Sequence, residues 1–167
     1  FAQVAKLKAS DRYYSDNFGH SVAIDGGVAV VGSPYDDDYY SNSGSAYVFH
    51  TTDGGATYNQ VAKLTAADAA AGDSFGMSVA ISGDVVVAGA SGDHNNRGSA
   101  YIFHTSDGGA TYGQVAKLTA SDAAAYDYFG GKVAIDGDTV VVGAYGKDSY
   151  TGSAYVFRTT DGGATYD

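Results

Sequence analysis

The chain has 167 residues, which is enough for about one domain with a substantial core. Its 19 acidic residues, all of them aspartate, outnumber the 9 lysines and arginines and give a formal net charge of −10. This acidity disfavours nucleic acid and anionic membranes as partners. The absence of cysteine excludes disulfides, thiolate zinc sites and cysteine nucleophiles. Abundant Gly, Val, Thr and Tyr with few helix formers favour an all-β fold.

The sequence is built from three tandem repeats. Four markers recur in a fixed order: Phe-Gly at positions 18, 75 and 129; Gly-Ser-Ala-Tyr at 44, 98 and 152; Asp-Gly-Gly-Ala-Thr-Tyr at 53, 107 and 161; and Gln-Val-Ala-Lys-Leu at 3, 60 and 114. The offsets indicate a unit of about 54 residues, with a three-residue insertion in the first unit between Gly32 and Gly44.

In chain order, the first predicted element is a strand that has no unit before it. Residues 1–8 match the segment that closes the first two units, so they predict an isolated fourth strand. Blade 1 is then predicted at 9–65, blade 2 at 66–119, and blade 3 at 120–167 without its fourth strand. By its sequence pattern, the isolated first strand is therefore the kind of strand that blade 3 lacks.

Each unit predicts four short strands. An alternating segment after Phe-Gly ends at an Asp-Gly or Ser-Gly turn, which favours a tight hairpin with positive φ. A β-branched run follows, then the Ser-Ala-Tyr-(Val/Ile)-Phe strand, the Asp-Gly-Gly turn and the Gln-Val-Ala-Lys-Leu strand. Four short strands in a unit of this length are typical of a β-propeller blade. The lysines of the last strand, Lys6, Lys63 and Lys117, are predicted to protect an exposed sheet edge.

These motifs resemble the FG-GAP repeat, the family that forms the β-propeller of integrin α subunits. The resemblance spans all three units and implies an all-β propeller segment, an extracellular or cell-surface location and a role in adhesion or structure. Many FG-GAP repeats carry an Asp-rich calcium loop between the first two strands. Here two residues remain in that loop, too few for the six to eight oxygen ligands of calcium.

The Asp-Gly-Gly segments also resemble the Asp-box of sialidase-like propellers. The first copy reads Thr51-x-Asp53-x-Gly55-x-Thr57-Tyr58. An Asp-box is usually a structural hairpin in which the carboxylate accepts hydrogen bonds from the turn, and aspartates in turns commonly do this. We therefore expect a structural role for these segments.

Because three blades cannot close a ring, we expect either head-to-tail assembly or an excerpt of a longer array. In the first case an N-terminal strand completes the third blade of a neighbouring copy and yields a closed propeller or a filament. The residues of this assembly strand are Gln3, Val4, Ala5, Lys6 and Leu7.

The loops that join strand two to strand three, and one unit to the next, vary most between repeats. They are rich in Tyr, Asp and Asn, a composition that suits recognition, although drift in exposed loops explains the variation equally well. A glycan or an extracellular protein is the alternative partner that such a rim implies. Its candidate residues are Tyr35, Asp36, Asp37, Asp38, Tyr39, Tyr40, Asp93, Asn95, Asn96, Tyr145, Asp148 and Tyr150.

Catalysis has little support, because no glutamate is present and no pair of aspartates or histidines has catalytic spacing. No cofactor is expected. Asp36, Asp37 and Asp38 are weak candidates for calcium binding, and a solvated charge run is the simpler interpretation. Pairs of aspartates five residues apart also precede each Phe-Gly and are interpreted as turn formers. Their members are Asp11 and Asp16, Asp68 and Asp73, and Asp122 and Asp127.

Overall fold

The computed structural model describes residues 2–161 and 165–166 of the chain, and over this range it is an all-β structure of three antiparallel sheets. Two single helical turns, α1 (Asp93–Asn96) and α2 (Lys147–Tyr150), interrupt the strands. The strands are β1 (Ser21–Asp25), β2 (Val28–Ser33), β3 (Ser45–His50), β4 (Asn59–Leu64), β5 (Phe75–Ser82), β6 (Val85–Ala90), β7 (Ser99–His104), β8 (Gly113–Leu118), β9 (Phe129–Asp136), β10 (Thr139–Ala144) and β11 (Ser153–Arg158).

The strands of each sheet follow one another as a simple meander. Sheet 1 has the order β1-β2-β3-β4 and sheet 2 the order β5-β6-β7-β8, whereas sheet 3 comprises β9-β10-β11 among the described residues. Two-residue turns after β1, β5 and β9 place Gly26, Gly83 and Gly137 at φ of 53–54°, as their Asp-Gly and Ser-Gly signals predict. The fold prediction of four-stranded blades is thus confirmed for the first two repeats.

Each sheet packs face to face against the next, and the core lies between them. Between sheets 1 and 2, Val30 and Val48 meet Phe75, Tyr101 and Phe103. Between sheets 2 and 3, the equivalent residues form a second cluster around Ile102 and Phe129. The β-branched run of β6 is buried throughout, because the two inner interfaces cover both faces of sheet 2.

Backbone hydrogen bonds connect each sheet to the next at the Phe-Gly motif. Gly44 forms a parallel bridge with Phe75, and Gly98 forms the same bridge with Phe129. Ser74 N–H also donates to Asn42 O, which joins the loop after β2 to the loop before β5 on one rim. The two variable loop types predicted to share a rim therefore do so.

The N-terminal segment does not form a strand within this chain. Residues 2–8 have no strand partner among the described residues, and Val4 is 72% exposed. Phe1 lies outside the described residues. Among the described residues, no helix is long and apolar enough to cross a membrane.

Candidate functional site

A partly buried polar cluster lies at one end of each sheet, beside the loop that follows the second strand. In sheet 1, the Lys63 ammonium lies 2.6 Å from Asp11 and 3.2 Å from Asp36, and it also contacts Asp38. The Tyr47 hydroxyl donates to Asp11 and is also 2.6 Å from Asp36. Lysine, carboxylates and phenol thus satisfy one another in a site where Asp36 is only 3% exposed.

This geometry sets the protonation of the cluster. Burial raises the pKa of the Asp11 carboxyl, but hydrogen bonds from Lys63 and Tyr47 outweigh it and leave the pKa below its usual range. Burial lowers the pKa of Lys63, yet bonds to Asp11 and Asp38 outweigh it and keep the pKa above the ordinary value. Burial and the adjacent Asp36 carboxylate raise the pKa of Tyr47. The cluster is therefore an ion-pair network at neutral pH.

Sheet 2 repeats the cluster with Lys117, which lies 2.6 Å from Asp68 and 2.7 Å from Asp93. The Tyr101 hydroxyl donates to Asp68 over 2.9 Å. Lys63 and Lys117 thus neutralise buried carboxylates. The sequence predicted only that these lysines protect an exposed sheet edge. The recurrence of Lys, Asp and Tyr at fixed repeat positions was a signal that could have predicted the neutralising role.

The third cluster takes its cation from a different element. Lys147, in α2, occupies the position that Asp93 holds in repeat 2. Its ammonium lies 3.2 Å from both Asp122 and Asp127, and the Tyr155 hydroxyl donates to Asp122 over 2.7 Å. Sheet 3 has no fourth-strand lysine in the described chain, so a loop residue neutralises its aspartates.

The weak calcium candidates do not all converge. Carboxylate oxygens of Asp11, Asp36 and Asp38 lie within 4.8 Å of one another, but the Lys63 ammonium contacts all three. Asp37 accepts a hydrogen bond from Asn42 N–H instead. A metal ion would have to displace the lysine, so this group is arranged as a lysine site.

The Asp-Gly-Gly segments form the expected structural hairpins. In the second repeat, Asp107 accepts hydrogen bonds from the N–H groups of Ala110 and Thr111 and from the hydroxyls of Thr105 and Thr111. These bonds hold the pKa of Asp107 well below its usual range. Asp53 and Asp161 make the same bond to the threonine four residues later. Residues 162–164, inside the third hairpin, lie outside the described chain.

The predicted rim residues divide into exposed and buried groups. Asp36 and Asp93 are each 3% exposed and belong to the polar clusters, which corrects their placement on an exposed rim. Tyr35 is half-buried, and Asn96 is also half-buried. The exposed members are Asp37, Asp38, Tyr39, Tyr40, Asn95, Tyr145, Asp148 and Tyr150.

The two outermost sheet faces are open and apolar. On sheet 1, Val22 is 70% and Ile24 is 65% exposed, although the equivalent Val79 and Ile81 are 8% and 9% exposed at the inner interface. On sheet 3, Val156 is 64% exposed, whereas Ile102 at the same repeat position is fully buried. The open faces thus carry the same apolar residues that the inner interfaces bury.

One glycine on the open face of sheet 3 has no local reason to be glycine. A Cβ on Gly32 or Gly89 would lie 2.0 or 1.9 Å from a carbonyl oxygen of the next sheet, so these two positions require glycine. Gly143 stands at the same repeat position with negative φ, and its Cβ would meet nothing closer than 3.7 Å. Within the described chain, Gly143 thus lacks the close backbone contact that requires glycine at Gly32 and Gly89.

The N-terminal segment lies beside the open face of sheet 1. Leu7 and Ala9 pack with Tyr47 and Phe49 there, as Leu64 and Ala66 pack between sheets 1 and 2. The upstream residues 2–6 are not part of a sheet in this chain. Residues 7–9 thus pack as the end of a fourth strand does, whereas residues 2–6 have no strand partner among the described residues.

Comparisons with known proteins agree with the repeat architecture. A sequence model of the FG-GAP repeat matches residues 1–49, 58–103 and 112–157. The crystal structure of Sqt1 from Saccharomyces cerevisiae is similar to this chain, with a TM-score of 0.58 at 11% identity. The similarity covers 92% of this chain and 35% of that one, and at this identity it concerns the fold alone. A search of curated proteins found no match.

Proposed function

The chain belongs to the FG-GAP repeat family, and we propose that it is an extracellular structural module whose copies join head to tail. In this assembly the open face of sheet 3 packs on the open face of sheet 1 of the next copy. FG-GAP repeats are typically extracellular, which supports that location. A contact of this kind closes into a ring or continues as a filament, depending on its rotation.

Gly143 is the main support for the proposal. Glycine in a strand loses more conformational entropy on folding than other residues and packs no side chain. Gly32 and Gly89 have a compensating reason, because the next sheet approaches them closely. A second copy packed on sheet 3 would approach Gly143 as closely as the next sheet approaches Gly32 and Gly89, and it would bury the exposed Val156.

Strand exchange adds a second element to this contact. In sheet 3, β11 pairs with β10 along one edge, whereas β3 and β7 each have a partner on both edges. We propose that residues 3–7 of the adjoining copy pair with this edge of β11. In sheet 2 the equivalent pairing places Lys117 opposite Tyr101, so Lys6 would lie opposite Tyr155.

The third polar cluster can accept that lysine. Asp122 and Asp127 carry two negative charges, and Lys147 neutralises one of them. The ammonium of Lys6 beside the Tyr155 hydroxyl would balance the second charge. The intermolecular strand would thus complete a site that the first two blades complete from within.

Sedimentation velocity of the 17.0 kDa chain over a wide concentration range tests the proposal. We expect a fixed oligomer for a ring or a concentration-dependent series for a filament. Gly143→Val should leave the monomer folded but abolish association, because the added methyl groups meet the adjoining sheet. Val115→Lys is the control, because it changes an exposed strand residue on sheet 2, away from the proposed contact. It should leave association unchanged.

A peptide with the sequence of residues 1–8 separates strand exchange from face packing. It should compete for the β11 edge and dissociate the assembly, whereas a scrambled peptide should not. A chain that stays monomeric at every concentration contradicts the proposed function. If the peptide fails to dissociate the assembly but Gly143→Val abolishes it, the result supports the face contact and contradicts strand exchange.

A further inference from the structure

Four tyrosines form a continuous aromatic row on the loop rim of the third repeat, here called the tyrosine platform: Tyr126, Tyr128, Tyr145 and Tyr150. The rings of Tyr128 and Tyr145 stack in parallel, with centroids 4.9 Å apart and 3° between planes. Tyr126 lies 6.4 Å from Tyr128, and Tyr150 lies 6.3 Å from Tyr145. Tyr126 and Tyr145 are each 54% exposed and Tyr150 is 67% exposed, so ring surface faces solvent.

The backbone at three of these positions disfavours tyrosine. Tyr126, Tyr128 and Tyr150 have φ of 69°, 53° and 69°, a left-handed conformation that is uncommon for large side chains. The equivalent positions of repeat 2, which share this conformation, are occupied by Gly72, Ser74 and Asn96. The fold is therefore satisfied by small or Asn residues, and the third repeat accepts strain at all three positions.

Two further positions differ in a way that accommodates the rings. Tyr145 replaces Ser91 of repeat 2, and Gly131 replaces Met77. A Cβ on Gly131 would lie 3.0 Å from two carbon atoms of the Tyr145 ring. Glycine thus provides the space in which Tyr145 stacks on Tyr128. Five coordinated differences that build one surface, at a cost in backbone strain, indicate a function rather than drift.

Polar groups accompany the rings. A hollow of about 490 Å³ lies between Tyr126 and Tyr150, and Asp148 and Ser149 line it with exposed side chains. Burial, and then the neighbouring Tyr150 and Tyr145, raise the pKa of the Tyr128 hydroxyl. Aromatic faces next to hydroxyl and carboxylate groups are amphipathic, because they offer both apolar contact and hydrogen bonds.

From this arrangement we propose that the tyrosine platform binds a neutral oligosaccharide of β-linked pyranose rings. The C–H faces of such rings are apolar and their edges carry hydroxyls, which matches the exposed phenol rings of Tyr126 and Tyr150 beside Asp148 and Ser149. A polyanionic glycan is disfavoured by the net charge of −10. The rings of the platform are all phenols, whose hydroxyls can form hydrogen bonds with a hydroxylated ligand. Sugar binding and self-association are measured separately, because Tyr150 stands at the repeat position of Asn96, whose carbonyl accepts a hydrogen bond from Tyr128 N–H of the next sheet.

Isothermal titration with cellohexaose, laminarihexaose and chitohexaose tests the proposal. The decisive variant carries Tyr126→Gly, Tyr128→Ser, Tyr145→Ser and Tyr150→Asn, which are the residues of repeat 2. Because the repeat 2 backbone already holds them, this variant should fold with an unchanged or higher Tm. The matched control is Tyr39→Ser with Tyr40→Ser, a pair of exposed rim tyrosines on the first repeat.

We expect the native chain to bind at least one of these sugars in a saturable way. Binding should weaken at least tenfold in the quadruple variant and persist in the control. Absence of binding by the native chain, or binding that survives in the quadruple variant, overturns the proposal. The proposal is also overturned if the quadruple variant keeps sugar binding but loses self-association, because the platform would then be a contact between copies of the chain.

Discussion

Lys117 and Asp93 form an ion pair in which Nζ and Oδ2 are 2.7 Å apart, and Asp93 is only 3% exposed. Burial raises the pKa of Asp93, but hydrogen bonds from Lys117 and Ser99 outweigh it and hold the pKa below its usual range. The lysine on the last strand therefore stabilises a carboxylate that the preceding loop places in the interior. This relationship couples strand β8 to α1 within one blade.

Replacing Lys117 by methionine should lower the free energy of unfolding by about 2 kcal/mol at pH 7, because Asp93 loses its buried counter-ion. Urea denaturation measures the change. Lys8→Met, at an exposed lysine, should change stability by less than about 0.5 kcal/mol. Equal stability of the Lys117 variant and the native chain would contradict the ion-pair interpretation.

Asp73→Asn should raise the free energy of unfolding, and the size of this effect should depend on pH. Burial raises the pKa of Asp73, and the nearby Asp93 raises it further. A group with a raised pKa in the folded state contributes stability below its unfolded pKa and loses it as pH rises through the folded value. We therefore expect Asp73→Asn to stabilise the chain by about 1 kcal/mol at pH 7. The amide can still accept the Ala70 N–H bond.

The control for this prediction is Asp93→Asn. Because the pKa of Asp93 is lowered, its contribution is present above the unfolded pKa and is lost as pH falls through the folded value. This variant should destabilise the chain at pH 7, and the difference from the native chain should shrink in acid. Denaturation curves from pH 7 to pH 3 measure both variants, and shifts of the same sign would refute the assignment.

The sequence predicted the repeats, the four-stranded meander and the Asp-box hairpins because each depends on local signals. Asp-Gly turns, β-branched runs and the Thr-Asp-Thr spacing act within a few residues. The polar clusters were missed because they join residues distant in sequence, such as Asp11 and Lys63. The sequence places Asp36 on the rim because it belongs to the inserted Tyr- and Asp-rich loop of the first unit, and only its contact with Tyr47 shows that it is buried.

Asp107→Ala should destabilise the second Asp-box hairpin. The carboxylate accepts bonds from two backbone N–H groups and two threonine hydroxyls, and its loss should lower the Tm, as the loss of a helix cap does. Thermal unfolding followed by circular dichroism measures this. Asp84→Ala, at another exposed turn aspartate, is the control and should be close to neutral. A neutral Asp107 variant would show that the turn is held by its backbone alone.

Gly89→Ala and Gly143→Ala test the same repeat position at an inner interface and at an open face. The Cβ at residue 89 would lie 1.9 Å from Gly130 O, so this variant should lose at least about 3 kcal/mol of stability or fail to fold. At residue 143 the closest atom is 3.7 Å away, so the monomer should keep its stability. Urea denaturation at a protein concentration too low for association compares the two variants. Equal losses of stability would contradict the difference in packing between the inner interface and the open face.

Lys132→Ser should strengthen head-to-tail association. The equivalent Ser21 and Ser78 each donate a hydrogen bond over 2.8 Å to a glycine carbonyl of the next sheet. Lys132 occupies this position on the open face of sheet 3, beside Gly143. A lysine there must be desolvated when another copy packs on it, whereas a serine would donate to the Gly19 carbonyl of that copy.

Sedimentation equilibrium should therefore give a lower dissociation constant for the Lys132→Ser variant, by about tenfold if one net hydrogen bond is gained. Arg97→Ser, at an exposed residue of the second repeat, controls for the loss of one positive charge. Weaker association of the Lys132 variant would mean that the ammonium itself makes a favourable contact with the adjoining copy. The serine at this position in repeats 1 and 2 would then reflect a geometry that the intermolecular contact does not share.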